Sequence, residues 1–192
     1  MKHRDVQRRL IDRTVLVIAE NGLDKTTTKA IVNTTDINEA YIYRYFRDKE
    51  ELLFRVFDSL DEELVAKVMQ CLPVMYMPQL AFELRCRVFF EEVWRFLLSS
   101  KEKCLAFLRY YYSPYFTKHS AESHKRRYAP VVEEFRKAFK DEADVWMILN
   151  HILNVMLDFA AKEHNGQMSQ EDNYTEHVFL VIYASIKQYF RE

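Results

Sequence analysis

Glycine and proline are scarce in this chain, and that limits the folds open to it. Only two glycines and four prolines occur among its 192 residues. Proteins built from β-strands need many turns rich in these two residues, whereas long helices need few breaks. Hydrophobic residues make up 49% of the chain and charged residues 30%, a balance typical of a folded soluble domain. We therefore expect an all-α fold.

No segment fits a secretion signal or a membrane span. Near the N-terminus, Asp12 and Arg13 interrupt the apolar run that a signal peptide needs. The longest apolar stretch, 145–161, contains four polar side chains. It is also shorter than the roughly 20 apolar residues of a transmembrane helix. These patterns predict a cytoplasmic protein that does not enter a membrane.

The sequence has no recognisable catalytic or metal-binding motif. Its three cysteines, Cys71, Cys86 and Cys104, lie 15 and 18 residues apart, so they form no C-x-x-C pair of the kind that binds zinc. There is also no G-x-S-x-G, H-E-x-x-H, phosphate loop or dinucleotide fingerprint. We expect free thiols, no catalytic residues, no metal and no cofactor, and hence a protein that is not an enzyme.

Three helices are predicted in the first 50 residues, at about 4–21, 28–34 and 38–46. Gly22 is placed to end the first helix in a left-handed conformation. A run of threonines, 26–28, is suited to capping the second helix. Two short helices braced by a longer one form a helix-turn-helix unit, whose size suits the major groove of DNA.

The third of these helices separates a buried face from an exposed one. Ile37, Ile42 and Phe46 are the expected buried anchors. The side chains left outside are Glu39, Ala40, Tyr41, Tyr43, Arg44 and Tyr45. The three tyrosines cannot all be buried, because helix positions two apart point about 200° from each other. Any single one of them could still pack against a neighbouring helix.

Four segments of the chain follow one another at characteristic spacings: AENG at 19–22, TTTKAI at 26–31, INEAYIYRYF at 37–46 and KEELL at 49–53. Together they resemble the head of the TetR/AcrR-type transcriptional regulators. The resemblance implies an N-terminal three-helix helix-turn-helix head, residues 1–50, and a C-terminal helical bundle, residues 51–192, for ligand binding and dimerisation. It also implies a dimeric regulator, expected to be a repressor, that binds a palindromic operator in double-stranded DNA. A small, largely apolar inducer would release it.

The resemblance also assigns DNA contacts to particular residues. Those at the start of the second helix, near the phosphate backbone or a groove edge, are Thr27, Thr28 and Lys29. Those that would contact phosphates from the third and fourth helices are Tyr43, Tyr45 and Lys49. The candidates for base contacts are Asn38, Glu39, Ala40, Tyr41 and Arg44. In DNA recognition, phosphate contacts set the register and exposed groups on the groove-facing helix choose the sequence.

Some features of the head do not favour DNA binding and leave an alternative function open. Residues 1–55 hold 11 Lys and Arg against 9 Asp and Glu, an excess with the sign expected beside DNA but a small one. Glu39 places an anion near phosphates, although its carboxylate is able to accept a hydrogen bond from cytosine N4. Asp36 stands where the turn of such heads usually has glycine. The alternative is a TetR-like adaptor that binds DNA weakly and whose body binds a partner protein.

The rest of the chain reads as a bundle with helices at about 48–70, 79–99, 101–112, 121–139, 142–164 and 170–190. The helix at 142–164 is apolar around most of its circumference, so it must be covered on most sides. Together with the helix at 170–190, it is expected to form a four-helix interface between the two subunits of a homodimer, as in TetR-like proteins.

Eight residues are candidates for the ligand pocket. Asn150, His151 and Asn154 belong to a polar stripe on the apolar helix, and Tyr111, Tyr112 and Phe116 to an aromatic run. Trp94 and Met147 complete the set. Apolar pockets combine aromatic walls with a few polar groups. Otherwise the polar stripe is a solvated edge or a set of interface hydrogen bonds, and the aromatic run is core or dimer contact.

Overall fold

The computed structural model describes residues 3–33, 37–168 and 174–191. Over these ranges the chain is helical, and the β pairing present is a single isolated bridge between Phe139 and Phe190. The all-α fold expected from the scarcity of glycine and proline is therefore confirmed. Across the same ranges, every helix is too short or too polar to span a bilayer.

The α-helices of the described residues follow the predicted order. They are α1 His3–Asn21, α2 Thr28–Val32, α3 Ala40–Tyr45, α4 Lys49–Cys71, α5 Phe82–Leu98, α6 Lys101–Tyr111, α7 Ala121–Arg136, α8 Val145–His164 and α9 Tyr174–Ile186. The ends of α1 to α8 lie within a few residues of those expected from hydrophobic periodicity. Part of the helix predicted at 170–190, residues 170–173, lies outside the described residues, as does the turn position Asp36.

Three tighter or wider helical turns were not predicted. A 3₁₀ turn, Leu72–Tyr76, follows α4, and a second, Lys187–Tyr189, follows α9. A π-helical turn, Phe116–Ser120, leads directly into α7. Such turns arise where a helix end is tightened or takes in an extra residue, so the average period of the sequence does not reveal them.

The chain divides into two compact units. Unit 1 comprises Met1–Glu63 and Lys101–His124, and unit 2 comprises Leu64–Ser100 and Lys125–Glu192. This division describes packing, and the functional boundary at residue 50 stays a prediction.

Unit 1 is built on α1, which packs against α2 and α6. Gly22 ends α1 with a φ of 80°, and its N–H donates to the carbonyl of Ile18 at 2.9 Å, so the predicted left-handed stop is confirmed. Leu23, the next residue, is buried. The fully buried aliphatic core of this unit includes Leu10, Ile18, Ile31, Ile42, Leu52 and Leu53.

A buried polar pair lies within the aromatic part of unit 1. His124 Nδ1 is 2.9 Å from Asp61 Oδ1, and both side chains are almost inaccessible to solvent. The rings of Phe57, Tyr111 and Phe116 surround the imidazole. Burying two polar groups is costly unless they bond to each other, so this pair ties α4 to the last residues of the unit.

Unit 2 packs α5, α8 and α9 against one another. Asp144 caps α8, because its carboxylate accepts the N–H of Met147 at 3.0 Å. Arg87 on α5 forms an ion pair with Glu176 on α9 and lies 4.3 Å from the centroid of the Phe179 ring. The apolar residues that made the 142–164 segment so hydrophobic therefore have two helices to cover them.

Candidate nucleic-acid interface

Helix α3 is held in place by three apolar anchors. Ile37, Ile42 and Phe46 are buried, as the pattern predicted. The N–H of Phe46 donates to the carbonyl of Ile42 at 2.8 Å and closes the last turn. Since the anchors occupy one side, the remaining side chains of this short helix must point away from the core.

None of the three tyrosines of α3 is buried. Tyr41 is 38% exposed and Tyr43 is 59% exposed, whereas Tyr45 is half-buried. The rings of Tyr41 and Tyr45 stack with centroids 6.2 Å apart, and the guanidinium of Arg44 lies 5.9 Å from the Tyr41 ring. The exposed face of α3 is therefore an aromatic and cationic surface with phenolic hydroxyls, which is suited to contact phosphates and base edges.

Two of the residues predicted to contact DNA bind each other. The hydroxyl of Thr28, at the start of α2, donates a hydrogen bond to the carboxylate of Glu39. The neighbouring Thr27 caps α2 as expected, since its hydroxyl oxygen accepts the N–H of Ala30 at 3.0 Å. Lys29 is exposed. The start of α2 and the start of α3 therefore meet at one point, and a DNA contact from Glu39 would compete with Thr28.

Asn38 stabilises the first turn of α3. Its side-chain oxygen accepts the N–H of Ala40 at 3.0 Å, while its carbonyl accepts the N–H of Tyr41. The helix begins at Ala40, and Asn38 bonds to its backbone from outside the helix, as a capping residue does. Ala40 is exposed and leaves the outer side of this turn without a bulky side chain.

The start of α4 is tied by reciprocal hydrogen bonds. The carboxylate of Asp48 accepts the N–H of Glu51 at 2.8 Å, and the carboxylate of Glu51 accepts the N–H of Arg47 at 2.7 Å. These bonds resemble a capping box. The N–H of Glu51 and the side chain of Arg47 lower the pKa of Asp48. Lys49, the first residue of α4, is therefore carried on a well-defined helix end.

Arg47 was not among the residues selected from the sequence. Its side chain is exposed and lies two positions before Lys49, with Nε 2.9 Å from Asp48 Oδ2. The signal was available, because a second cation directly before a helix start strengthens a phosphate site. Arg47 joins Lys49 as a candidate phosphate contact.

The eight predicted pocket residues are divided between the two units. Tyr111 and Phe116 pack around Phe57 and His124 in unit 1, where Tyr112 is exposed. Trp94 and the polar stripe belong to unit 2. There Trp94 is buried against Phe90, Asn154 is half-buried, and Asn150 donates to the carbonyl of Trp146 on its own helix.

Unit 2 contains an apolar cavity of about 100 Å³. Its lining comes mainly from α5, α7, α8 and α9: Leu64, Val68, Met75, Cys86, Phe89, Phe90, Val93, Tyr128, Phe135, Phe139, Leu149, Ile152, Leu153, Met156, Phe179, Ile182, Tyr183, Ile186 and Phe190. None of the eight predicted side chains is among these described lining residues. Leu149, Ile152, Leu153 and Met156 belong to the apolar run noted in the sequence, which was the available signal for a cavity.

Exposed apolar side chains occur on both helices predicted to form the dimer interface. Met147 on α8 is 58% exposed, and Leu180 and Val181 on α9 are also exposed. The two helices are joined by a polar contact, because His151 Nε2 is 3.0 Å from the hydroxyl of Ser185. Large apolar side chains left exposed on one pair of helices favour a surface that another protein covers.

Comparisons with known proteins relate the chain to a family. Residues 10–56 match the model of the bacterial regulatory proteins of the tetR family. No curated protein matches the sequence.

Solved structures share the fold over nearly the whole chain. A TetR family transcription regulator from Marinobacter aquaeolei VT8 aligns with a TM-score of 0.76 at 16% identity, covering 100% of both chains. A TetR-like transcriptional regulator from Rhodococcus sp. RHA1 aligns with a TM-score of 0.72 at 14% identity, covering 97% of this chain and 98% of that one. The transcriptional regulator FadR from Bacillus subtilis, in complex with stearoyl-CoA, aligns with a TM-score of 0.68 at 16% identity, covering 91% and 96%.

Proposed function

Since this chain has a TetR-family head and the fold of TetR-type transcription regulators, we propose that it binds a palindromic operator as a homodimer and represses transcription. The observation that carries the proposal is the geometry of α3. Its apolar anchors are buried, while Tyr41, Tyr43 and Arg44 face outward. Such a regulator works beside DNA in the cytoplasm and needs no catalytic step.

The contacts divide into two classes. Tyr43, Lys49 and Arg47 would bind phosphates, together with the residues at the start of α2 and with Tyr45. Asn38, Tyr41 and Arg44 would meet base edges in the major groove. Glu39 would accept a hydrogen bond from a cytosine amino group after its bond to Thr28 is broken, so its contribution to binding is the difference between two hydrogen bonds.

The dimer would form through α8 and α9. The exposed apolar side chains of Met147, Leu180 and Val181 support this interface, because a second copy of the same two helices would cover them. Two heads related by a twofold axis read two half-sites that are about 34–36 Å, or a multiple, apart. The palindromic form of the operator follows from that symmetry.

A small, largely apolar inducer would bind in unit 2. The cavity of about 100 Å³ supports this part of the proposal. The likeness in fold to FadR of Bacillus subtilis, whose structure holds stearoyl-CoA, is further support. An occupant that prefers one conformation of the body would shift the dimer between forms with different affinity for DNA.

The test is a selection of DNA duplexes from a random pool by the full-length protein, followed by titration of the enriched sequence against salt. We expect a palindrome bound in the nanomolar range, with an affinity that falls steeply as salt rises. A variant in which Tyr43 and Lys49 are both alanine serves as the control and should bind the enriched palindrome and unrelated duplexes more weakly, without a change of preferred sequence. A stable dimer that enriches no sequence would overturn the proposal in favour of the adaptor function.

A further inference from the structure

A second, more polar concavity lies next to the apolar cavity of unit 2. It is a groove of about 390 Å³ formed by the 3₁₀ turn after α4, the start of α5, the end of α7 and Arg191. Met75 and Phe135 line both the groove and the cavity. The two spaces therefore share part of their walls, and one of the shared side chains is methionine, which is among the most adaptable of wall residues.

The groove is rich in cations. Arg85, Lys137 and Arg191 line it, against a single carboxylate from Glu134. Lys137 Nζ is 2.7 Å from Glu134 Oε2, and Arg191 forms an ion pair with Asp141. Two of the three positive charges are therefore already compensated by carboxylates of the protein.

Arg85 differs from the other two cations. One terminal nitrogen donates to the carbonyl of Met75 at 2.7 Å, and the guanidinium lies 5.2 Å from the centroid of the Phe82 ring. Among the residues that the structure describes, no carboxylate pairs with Arg85, and its buried Nε has no hydrogen-bond acceptor. An arginine in such surroundings still has donors available for a planar anion.

The position of Arg85 on α5 connects the two spaces. Arg85 lines the groove, whereas the next residue, Cys86, lines the cavity, as do Phe89 and Phe90 one turn further on. Helix α5 therefore places one cation in the groove and two aromatic rings on the wall of the cavity. The cavity is smaller than the roughly 150 Å³ void that holds benzene, so a longer apolar chain would extend past Met75 into the groove.

We propose that the groove and the cavity form one site for an amphipathic carboxylate, whose charged end binds Arg85 and whose apolar part lies in the cavity. This inference rests on the proposed function and deepens it, because it names the chemical class of the inducer. The carboxylate would accept hydrogen bonds from donors of Arg85 that no described carboxylate occupies, and the apolar part of the ligand would fill the cavity.

The experiment measures binding of octanoate and of 1-octanol to the full-length protein without DNA, by titration calorimetry. We expect octanoate to bind at least about 10-fold more tightly, which corresponds to about 1.4 kcal/mol, since hydrogen bonds to charged groups are stronger than those between neutral groups. Arg85→Gln should lower the affinity for octanoate about 10-fold or more and leave that for octanol unchanged. The matched control is Arg136→Gln, an exposed arginine on α7 outside the groove lining, which should change neither.

Two further variants protect the test against misfolding. Arg85→Lys keeps the charge and should retain part of the preference for octanoate, and circular dichroism should show native helix content in both Arg85 variants. Leu153→Phe, within the cavity lining, should weaken both ligands. Equal binding of octanoate and octanol, or no effect of Arg85→Gln on octanoate, would overturn the inference.

The outcome is separable from that of the proposed function. Binding of octanoate through Arg85 is measured on the protein alone, while release from DNA is measured on the enriched palindrome. If octanoate binds as expected and DNA affinity does not change, the site stands and its role as the inducer site fails. If no palindrome is enriched, the carboxylate site is still decided by calorimetry.

Discussion

Units 1 and 2 both enclose aromatic side chains, but they fill the enclosed space differently. In unit 1, the ring of Phe57 has neighbours on several sides, with centroids 5.0 Å from Phe107, 4.7 Å from Tyr110 and 5.4 Å from Phe116. In unit 2, a larger set of apolar side chains surrounds a void of about 100 Å³. A fully enclosed volume of that size would cost about 2 kcal/mol at the usual cost of core cavities, and this cavity costs less because it is partly open.

This difference in packing fits the different functions proposed for the two units. Close packing around Phe57 limits movement inside unit 1, and the proposed function of this unit lies on its surface. The cavity lowers the stability of unit 2, and a ligand that fills it would raise that stability. The proposed function of unit 2 therefore lies in its interior. The following predictions test this contrast, beginning with the largest expected effect.

The buried pair of unit 1 should be the most sensitive point of the filled core. His124→Ala leaves the carboxylate of Asp61 buried without its imidazole partner and removes a ring from the aromatic cluster. We expect the free energy of unfolding to fall by about 3–5 kcal/mol in urea titrations. His119→Ala, which breaks a more exposed contact with Glu50, should cost about 1 kcal/mol or less. Similar losses for the two variants would argue against a special role for the buried pair.

The same type of substitution, leucine to phenylalanine, should change the free energy of unfolding in opposite directions in the two units. Leu153→Phe adds volume beside the void of unit 2 and should raise the free energy of unfolding by about 0.5–2 kcal/mol. Leu53→Phe adds the same volume to the filled core of unit 1 and should lower it by about 1–3 kcal/mol. Denaturant titrations of the two variants side by side give the comparison. A loss of stability in both would mean that the void is too narrow to accept a larger side chain.

On the surface of unit 1, Glu39→Ala should change the choice of sequence. We expect discrimination at one base pair of each half-site to change about 10-fold, or roughly 1.4 kcal/mol, while thermal stability stays nearly constant. Competition binding with operators altered at single positions would measure this. Glu20→Ala removes the same charge from an exposed position of α1 and should leave the preference unchanged. A uniform rise in affinity for every operator would show that Glu39 only repels phosphates.

The smallest effects should come from the phosphate contacts. Tyr43→Phe and Lys49→Ala should each weaken binding to all sequences alike, by about 1 kcal/mol or less, because phosphates carry no base identity. Lys49→Ala should also reduce the slope of affinity against salt by about one ion, whereas Tyr43→Phe should not. Titrations of one operator and one unrelated duplex at several salt concentrations test both. Sequence-dependent losses would move these residues to the base-reading set.

Much of unit 1 follows from the sequence because its signals are local. Periodicity predicts that Ile37, Ile42 and Phe46 are buried. The left-handed end of α1 at Gly22 and the cap of α2 at Thr27 each depend on a few adjacent residues, so they can also be predicted. The resemblance to TetR-type regulators, confirmed by the family model and by the fold, lies in the same segment. The bond between Thr28 and Glu39 joins residues 11 positions apart across an intervening turn, and no local pattern indicates it.

The cavity was less predictable for a physical reason. The sequence shows that Leu149, Ile152 and Leu153 are apolar, but a void is an absence of neighbours and depends on how several helices pack. Polar and aromatic residues were selected for the pocket because they stand out in a sequence. Trp94 lies against Phe90, and Asn150 bonds to its own helix at the carbonyl of Trp146.

The π-helical turn Phe116–Ser120 has a consequence for the relatives of this chain. A π turn contains one residue more than an α turn. Deletion of one residue from this turn would therefore convert it into regular α-helix without interrupting the chain. The positions after the deletion would keep nearly the same phase, because a π turn and the α turn that replaces it both bring the chain round by slightly more than 360°. Homologous sequences that are one residue shorter at this point should therefore bury the same face of α7. In this chain the extra residue is taken up between Phe116 and Ser120, beside the contacts of Lys118 and His119 with Glu50.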